Sequence, residues 1–535
     1  MNKSLFVVIL ALAIFLRIFR LDSIPPSLNW DEVSIGYNAF SILQTGKDEW
    51  GENFPLSFRA FGDYKLPGYI YFDTIFIALF GLNEWGVRLP SAFLGIGFII
   101  LIFLTFRKLT NTNTGLWGMF LASILPWSLI VSRIGLEAHL SLFLTTLGFY
   151  MFLLGLEKKF WLTVSALIFG LTIFSYNSSR VVTPLLILVL IFFYKKEFFQ
   201  QRKVALISLI IFLVFFSVTL PKAIQQDSSA RYRWITILDE GAILRINELR
   251  GNSNLPSGIK SILYNKVTYF IPEVVKNYVS HFSPKFLFLQ GGSNYQFSIP
   301  GSGLLYLVLA PALILGLLQI LRLRQKWQLV ILSWLLISII PAAITRDSPH
   351  PLRSIMAMTP LLIISSLGIN QILKFKNSRY LVVGIIVILM ASLYLFWQNY
   401  SNDYTKNYSW SWQYGYSNVV DFVKNEGSKF DKIFITKKYG EPHEFFLFYL
   451  KIDPQKYQTD QSLVRYQKSD WFWADRFDKF IFINDWEVKE KAICNTKCLL
   501  ITSPGNYPQG SKLLDKVSFL DGKEAFDIVE PPKVQ

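Results

Sequence analysis

Residues 158–203, KKFWLTVSALIFGLTIFSYNSSRVVTPLLILVLIFFYKKEFFQQRK, decide the fold. Two apolar runs, 160–175 and 181–194, flank the short polar turn Tyr176–Arg180. Lys158-Lys159 precede the first run, and Lys195-Lys196 with Arg202-Lys203 follow the second. Apolar runs approaching about 20 residues read as membrane helices, and Lys and Arg collect on the cytoplasmic side of them. The stretch is therefore a helical hairpin that leaves the cytoplasmic face and returns to it.

The same pattern extends in both directions. Further runs at 5–20, 91–106, 115–131, 139–156, 204–220, 302–320, 328–343, 354–372 and 380–397 give about 11 spans in all. Arg107-Lys108, Arg322/Arg324/Lys326 and Lys374/Lys376/Arg379 fall on the same side as the hairpin's basic clusters, which places that side and the N-terminus in the cytoplasm. The loops 21–90 and 221–301, and everything after 398, then face outward. Arg17 and Arg20, at the outer end of the first run, oppose this assignment and are outweighed by the downstream clusters. That run lacks a small-residue cleavage site and reads as an uncleaved anchor. Segment 67–82, short and rich in Tyr and Phe, reads as a helix lying along the interface.

Composition agrees with a membrane protein. Of 535 residues, 52% are hydrophobic and only 17% charged, against about a quarter charged in soluble domains. The net charge of +16 lies in short clusters between apolar runs, which excludes a nucleic-acid face. Four His and two Cys, scattered, exclude a structural zinc site. No Walker loop, dinucleotide fingerprint or zinc-protease motif is present. Past Trp397 the composition turns polar and mixed. Strand-like runs at 431–436, 480–484 and 498–502 alternate with helix-like patterns at 417–426 and 441–450, which predicts a small extracytoplasmic α/β domain. Cys494 and Cys498 lie in it, either as a disulfide or as two thiols. The expected architecture is thus an α-helical polytopic membrane domain over 1–398, with outer loops 21–90 and 221–301, followed by the outer α/β domain 399–535.

The chemistry-bearing residues gather outside the apolar runs. Asp31-Glu32 stand in the first turn of a helical pattern, where capping and the helix dipole also favour carboxylates. Asp48, Glu49 and Glu52 read as a solvated acidic loop. Lys65 reads either as a phosphate ligand or as a lysine snorkelling at the interface. Arg133 and Glu137, four apart, suit an ion pair at a helix start. Arg180 stands alone at an outer helix end, where it could hold phosphate or anchor at the headgroups. The turn Thr345–Arg353 ends on an arginine that opens a helix; helix N-terminus and guanidinium together suit a phosphate, which favours Arg353 over the lone His350. His281–Phe286 suits either a membrane surface or a sugar.

Four of these pieces occur in a fixed order: Arg17-x-x-Arg20-Leu21-Asp22-x-x-Pro25-Pro26, Trp30-Asp31-Glu32, Tyr64-Lys65-Leu66-Pro67-Gly68-Tyr69, and Gly81-x-Asn83-Glu84-x-x-x-Arg88-Leu89-Pro90-Ser91. The series resembles the N-terminal signature of the GT-C membrane glycosyltransferases, most of all the family-39 group of protein O-mannosyltransferases and lipid A aminoarabinose transferases. The resemblance is dense over residues 10–140 and thinner to about 372. It implies transfer of a sugar from a polyprenyl-phosphate donor to a glycan, lipid or protein acceptor hydroxyl at the outer face of the cytoplasmic membrane. Asp31 matches the family's catalytic aspartate, with Glu32 its neighbour. Lys65 matches a segment that approaches the donor phosphate, with Lys-Leu-Pro here where many relatives have Lys-Pro-Pro. Arg133 and Glu137 match positions where an Arg and an acid recur, and the loop of His350 and Arg353 resembles one that carries donor-binding basic residues. The branch works without a cofactor, whereas more distant GT-C enzymes bind a divalent cation near such carboxylates, so Asp31-Glu32 fit either chemistry. An oligosaccharide ligase or polymerase is the alternative enzyme, and a lipid or polysaccharide transporter the alternative without chemistry. A transporter is expected to carry polar groups at mid-membrane, and these runs are nearly free of charge.

Overall fold

The computed structural model describes residues 3–60, 62–218, 235–374, 378–469, 471–492 and 494–532. Lys376, residues 219–220 of the run 204–220, and residues 221–234 of the long outer loop lie outside them. The first helices are α1 (Lys3–Ile18), α2 (Trp30–Thr45), α3 (Pro67–Phe80), α4 (Glu84–Leu109), α5 (Thr112–Ile124), α6 (Pro126–Val131), α7 (Glu137–Gly155) and α8 (Phe160–Thr172). There follow α9 (Ser179–Phe193), α10 (Lys195–Gln200), α11 (Arg202–Ser217), α12 (Glu240–Asn252), α13 (Ser257–Leu263) and α14 (Lys266–Ser280). Next come α15 (Ala310–Leu323), α16 (Lys326–Ala343), α17 (Met358–Ile372), α18 (Ser378–Gln398), α19 (Tyr416–Glu426), α20 (Pro442–Tyr449) and α21 (Pro454–Thr459).

Each of the eleven apolar runs holds a helix. By length and composition, five helices among the described residues can cross a membrane: Glu84–Leu109, Glu137–Gly155, Lys326–Ala343, Ile355–Ile372 and Tyr380–Asn407. The run at 115–131 is broken at Pro126, which separates α5 from α6. Proline has no N–H, so the Ala122 carbonyl loses its helical donor. The guanidinium of Arg17 replaces it, donating to the Ala122 carbonyl at 3.0 Å, to the Ser123 carbonyl at 3.2 Å and to Ser128 Oγ at 2.8 Å. Arg17 is fully buried. Its charge is engaged in this repair inside the protein.

The chain divides into two compact units. The first comprises residues 1–17, 93–132 and 137–396, and the second 18–92, 133–136 and 397–535. In the first, α15 and α17 meet through glycines: a Cβ on Gly316 would stand 1.9 Å from the Ile364 carbonyl oxygen, and one on Gly368 1.7 Å from that of Ala312. Such close backbone approach is the membrane mode of helix packing by small residues. Lys108 pairs with Glu157, and Lys326 with Glu197 at 2.8 Å. These contacts gather the basic loops after α4, after α7, at α10 and before α16 at one end of the unit.

The second unit is built on two sheets. A hairpin pairs β1 (Phe58–Ala60) with β2 (Asp63–Lys65), Phe58 opposite Lys65. The larger sheet contains β3 (Lys432–Thr436), β4 (Val464–Lys468), β5 (Trp471–Phe477), β6 (Phe480–Ile483), β7 (Cys498–Thr502), β8 (Lys512–Ser518) and β9 (Glu524–Glu530), in the order β4-β5-β6-β3-β7-β9-β8. β3 is central and parallel to β6 and β7, and the remaining pairs are antiparallel. Its Ile433 and Ile435 are buried beside Leu499 and Ile501 of β7, the continuous apolar reading expected of a parallel strand covered on both faces. Cys494 and Cys498 form a disulfide.

Helix α2 belongs to this unit and is buried on all sides from Glu32 to Ala39, Val33, Ile35 and Tyr37 included. Gly36 is required there, since a Cβ would stand 2.5 Å from Val87 Cγ2 and 2.8 Å from the Phe448 ring of α20. The loop after α2 corrects one expectation. Asp48 and Glu49 are buried, not solvated, because the C-terminal segment covers them. Gln458 Nε2 donates to the Asp48 carbonyl at 2.8 Å, and Arg465 donates to that of Glu49 at 2.9 Å. Glu52 does reach the surface, paired with Arg59.

Candidate active site

Asn29 fixes the start of α2. Its side chain accepts from the Glu32 N–H at 2.9 Å, and Glu32 Oε2 accepts from the Asn29 N–H at 3.2 Å, a reciprocal capping box. Asp31 and Glu32 then project differently. Glu32 is fully buried and its carboxylate is saturated: Arg88 Nε and the Gly135 N–H each donate to Oε1 at 2.9 Å, and Arg88 Nη2 donates to Oε2 at 3.2 Å. Asp31 keeps about 28% of its side chain exposed and accepts a charge-assisted hydrogen bond from Lys65 Nζ. The β1–β2 hairpin delivers that lysine. After it, Pro67 in the first turn starts α3 at once, so Lys65 is held between two fixed elements.

Arg88 is the organiser that sequence reasoning quoted without a role. Besides Glu32, its guanidinium donates to the carbonyls of Leu21 at 3.0 Å, Pro25 at 2.9 Å and Ser27. It thereby fixes the loop leading into α2. The available signal was the position itself, since an arginine opening a long apolar helix needs a buried partner. Arg133 works in parallel, donating to the carbonyls of Phe19 at 2.8 Å, Arg20 at 3.0 Å and Ile24 at 2.8 Å, with its guanidinium 5.3 Å from the Trp397 ring centroid.

The remaining predicted residues lie in the first unit. There a cavity of about 170 Å3 is lined by Tyr176, Asn177, Ser178, Thr236, Thr345 and Arg353, among others. Arg353 donates to Thr345 Oγ1 at 2.9 Å and to the Asp347 carbonyl at 3.1 Å. An isolated bridge between Thr236 and Thr345 closes one wall. His350 is buried beneath this turn: its Nδ1 accepts from the Arg353 N–H at 3.3 Å, and its own N–H donates to His281 Nε2 at 3.2 Å. Burial lowers His281 to about 4, so it is neutral and free to accept. Arg180, at the start of α9, donates to the Ile173 carbonyl at 3.3 Å and to Asn177 Oδ1 at 3.4 Å, on the same turn as the cavity. Glu137 opens α7 and is 8% exposed. Asp31, Glu32, Lys65 and Arg133 therefore share the second unit, and Arg353, His350, Arg180 and Glu137 the first.

No group of three or more His, Cys, Asp or Glu side chains among the described residues could hold a metal ion. The Asp31-Glu32 pair does not supply a cation site, because donors occupy both oxygens of Glu32.

The described residues thus combine helices long and apolar enough to cross a membrane with a buried lysine on a partly exposed aspartate at the head of α2. Residues 65–221 match the family model of dolichyl-phosphate-mannose-protein mannosyltransferases. A solved structure of ArnT from Cupriavidus metallidurans bound to undecaprenyl phosphate is 12% identical, with a TM-score of 0.57 and 99% of this chain and 98% of that chain covered. The Archaeoglobus fulgidus oligosaccharyltransferase, in a complex with Zn and sulfate, is 13% identical with a TM-score of 0.52 over 83% of this chain and 61% of that one. The chain thus spans about three fifths of that enzyme's length. Comparison with curated protein sequences gives no significant match. The chain thus shares its fold with these membrane proteins, and its residues 65–221 match the mannosyltransferase family model.

Proposed function

We propose that this protein transfers a sugar from a polyprenyl-phosphate donor to an acceptor hydroxyl at the outer face of the cytoplasmic membrane, with inversion at the anomeric carbon. The observation that carries the reading is the contrast within one helical turn: Glu32 is sealed by Arg88 and Gly135, while Asp31 stays accessible against Lys65. Asp31 takes the acceptor proton as the hydroxyl oxygen bonds to C1. The bond from C1 to the phosphate oxygen breaks, and polyprenyl phosphate leaves with the electron pair. Glu32 touches no reacting atom in this scheme; it positions Asp31 by fixing the first turn of α2. Lys65 is suited to meet the negative charge of the phosphate as a preorganised cation; the Arg353 cavity of the first unit is by itself a basic site suited to a phosphate. Arg180 lies on the same turn as that cavity and supports its Asn177 wall.

The test is sugar transfer in liposomes from a radiolabelled polyprenyl-phosphate hexose to membrane-extract acceptors. Asp31→Asn is expected to lower turnover by about 10²–10⁴-fold, the range for removing a general base, at unchanged folding. Full transfer by Asp31→Asn would sink the assignment. The support from ArnT is its bound undecaprenyl phosphate, in a protein sharing this fold over nearly its whole length.

A further inference from the structure

A second and larger cavity lies elsewhere, among the basic loops of the first unit. It has a volume of about 620 Å3 and is enclosed by α7, α8, α9, α10 and α11, within the range of about 300–1,000 Å3 typical of ligand pockets. Its walls are hydrocarbon and aromatic, with Phe152, Leu162, Phe169, Leu190 and Phe212 among them. The hydroxyl of Ser165 is turned away from any ligand role by its donation to the Gly148 carbonyl at 2.7 Å. A polar metabolite would find almost nothing to bind in such a space. A hydrocarbon chain would.

Two further features narrow the occupant. Leu206 and Leu209 line the cavity from α11 and are 59% and 39% exposed, so the space opens sideways along a helix whose outer face is apolar. The entry therefore faces hydrocarbon. At one end stand Lys195 and Arg202, and neither forms an ion pair among the described residues. The acid between them in sequence, Glu197, is engaged by Lys326. Lys196 and Lys203 add to the same positive end. Six residues beyond Arg202 on α11, about 9 Å along the helix, Ser208 lines the cavity; it is buried and its Oγ has no hydrogen-bond partner among the described residues.

We propose that this cavity is a binding site for an anionic phospholipid, with an acyl chain in the apolar space and the phosphate between Lys195 and Arg202. Basic pockets between membrane helices on the cytoplasmic side are suited to anionic lipid headgroups, and the basic end of this unit is the one the charge pattern assigns to the cytoplasm. An ester carbonyl a few ångströms beyond the phosphate is the acceptor that the Ser208 hydroxyl lacks. The site is separate from the residues proposed for sugar transfer and stands or falls independently of them.

The experiment is native mass spectrometry of the full chain, purified in neutral detergent and supplied with equimolar phosphatidylglycerol and phosphatidylcholine. One phosphatidylglycerol is expected to stay bound per chain, in preference to phosphatidylcholine. Lys195→Gln with Arg202→Gln should weaken retention about tenfold or more, since each basic residue near a lipid phosphate contributes about a tenfold factor at most. Ser208→Phe, which fills the space, should abolish retention while the charge variant keeps the wild-type melting temperature. Equal retention of both lipids, or undiminished phosphatidylglycerol on the charge variant, would overturn the proposal. So would displacement of the lipid by inorganic phosphate alone, or preferential capture of an added polyprenyl monophosphate.

Discussion

The second unit holds two pairs of carboxylates and treats them in opposite ways. Glu32 of the pair Asp31-Glu32 has an arginine, a glycine N–H and a capping N–H on its oxygens, and Asp31 has Lys65. Glu49 and Glu444 have each other. Neither oxygen of Glu444, nor Oε2 of Glu49, has a hydrogen-bond partner among the described residues. A proton held between the two carboxyls would satisfy them. Burial, then the charge of Asp48, pushes Glu49 up to about 7; burial, then the charge of Glu49, holds Glu444 well above the carboxylate range. Burial also lifts Asp48 to about 6 and Glu441 to about 7, while His443 falls to about 3 and stays neutral. Arg465 lies over Trp50 and Tyr457 instead of neutralising the pair outright. A buried acid with a cation is built for permanent charge; one facing another acid is built to hold a proton.

Substitutions can break or sharpen that contrast. Arg88→Met should have the largest effect on stability, about 3–5 kcal/mol, because it strands the Glu32 charge in a dry site. Thermal unfolding monitored by size-exclusion recovery would read it, and adding Glu32→Met should restore much of the loss. If Arg88→Met alone melts like wild type, Glu32 is not held as an ion.

The other pair should behave in the reverse sense. Glu49 and Glu444 bind their protons more tightly in the folded state than in the unfolded chain. Their contribution is therefore complete below about 4.5, the unfolded value, and is lost as pH rises toward about 7. Glu49→Gln with Glu444→Gln should flatten this window and gain about 1–3 kcal/mol at pH 8, where the wild type must either keep an unwanted proton or bury a charge. Melting temperatures from pH 5 to pH 8 decide it: parallel curves for variant and wild type would mean that the pair does not share a proton.

Lys65→Gln should be the mildest of the three for stability. Its partner Asp31 is partly exposed, so the loss is about 0–1 kcal/mol, visible as a shift of a degree or two in the same melts. Transfer activity should nevertheless fall. A large drop in stability would make Lys65 a structural residue comparable with Arg88.

Much of this was legible before any coordinates. The apolar runs predict their helices because membrane length and burial leave few other solutions. The three inner strands 432–436, 480–483 and 498–502 are buried apolar runs, and their reading stands. The edges escaped: β8, with its Lys512, Asp515 and Lys516, alternates around solvent and lacks the apolar density that marks an inner strand. The site was legible as a set of residues and not as a division of labour. Locally only the Asn29 capping box separates Glu32 from Asp31; the rest of the difference is Arg88 and Gly135, which arrive from far along the chain. The roles of Arg17, Arg88 and Arg133 were hidden for a related reason. Most of their partners are backbone carbonyls, at the broken end of α5 for Arg17 and in the segment before α2 for Arg88 and Arg133, and these leave no periodic trace in the sequence.

The Arg17–Pro126 arrangement has an evolutionary corollary. A guanidinium from the first helix fills the bond that a proline removed from another, so neither position is free to drift alone. A homologue with an ordinary residue at 126 regains the helix's own donor and has no use for a cation at 17; leucine or phenylalanine would serve it better. Where proline persists, arginine should persist with it, and the two columns should change together although more than a hundred residues separate them.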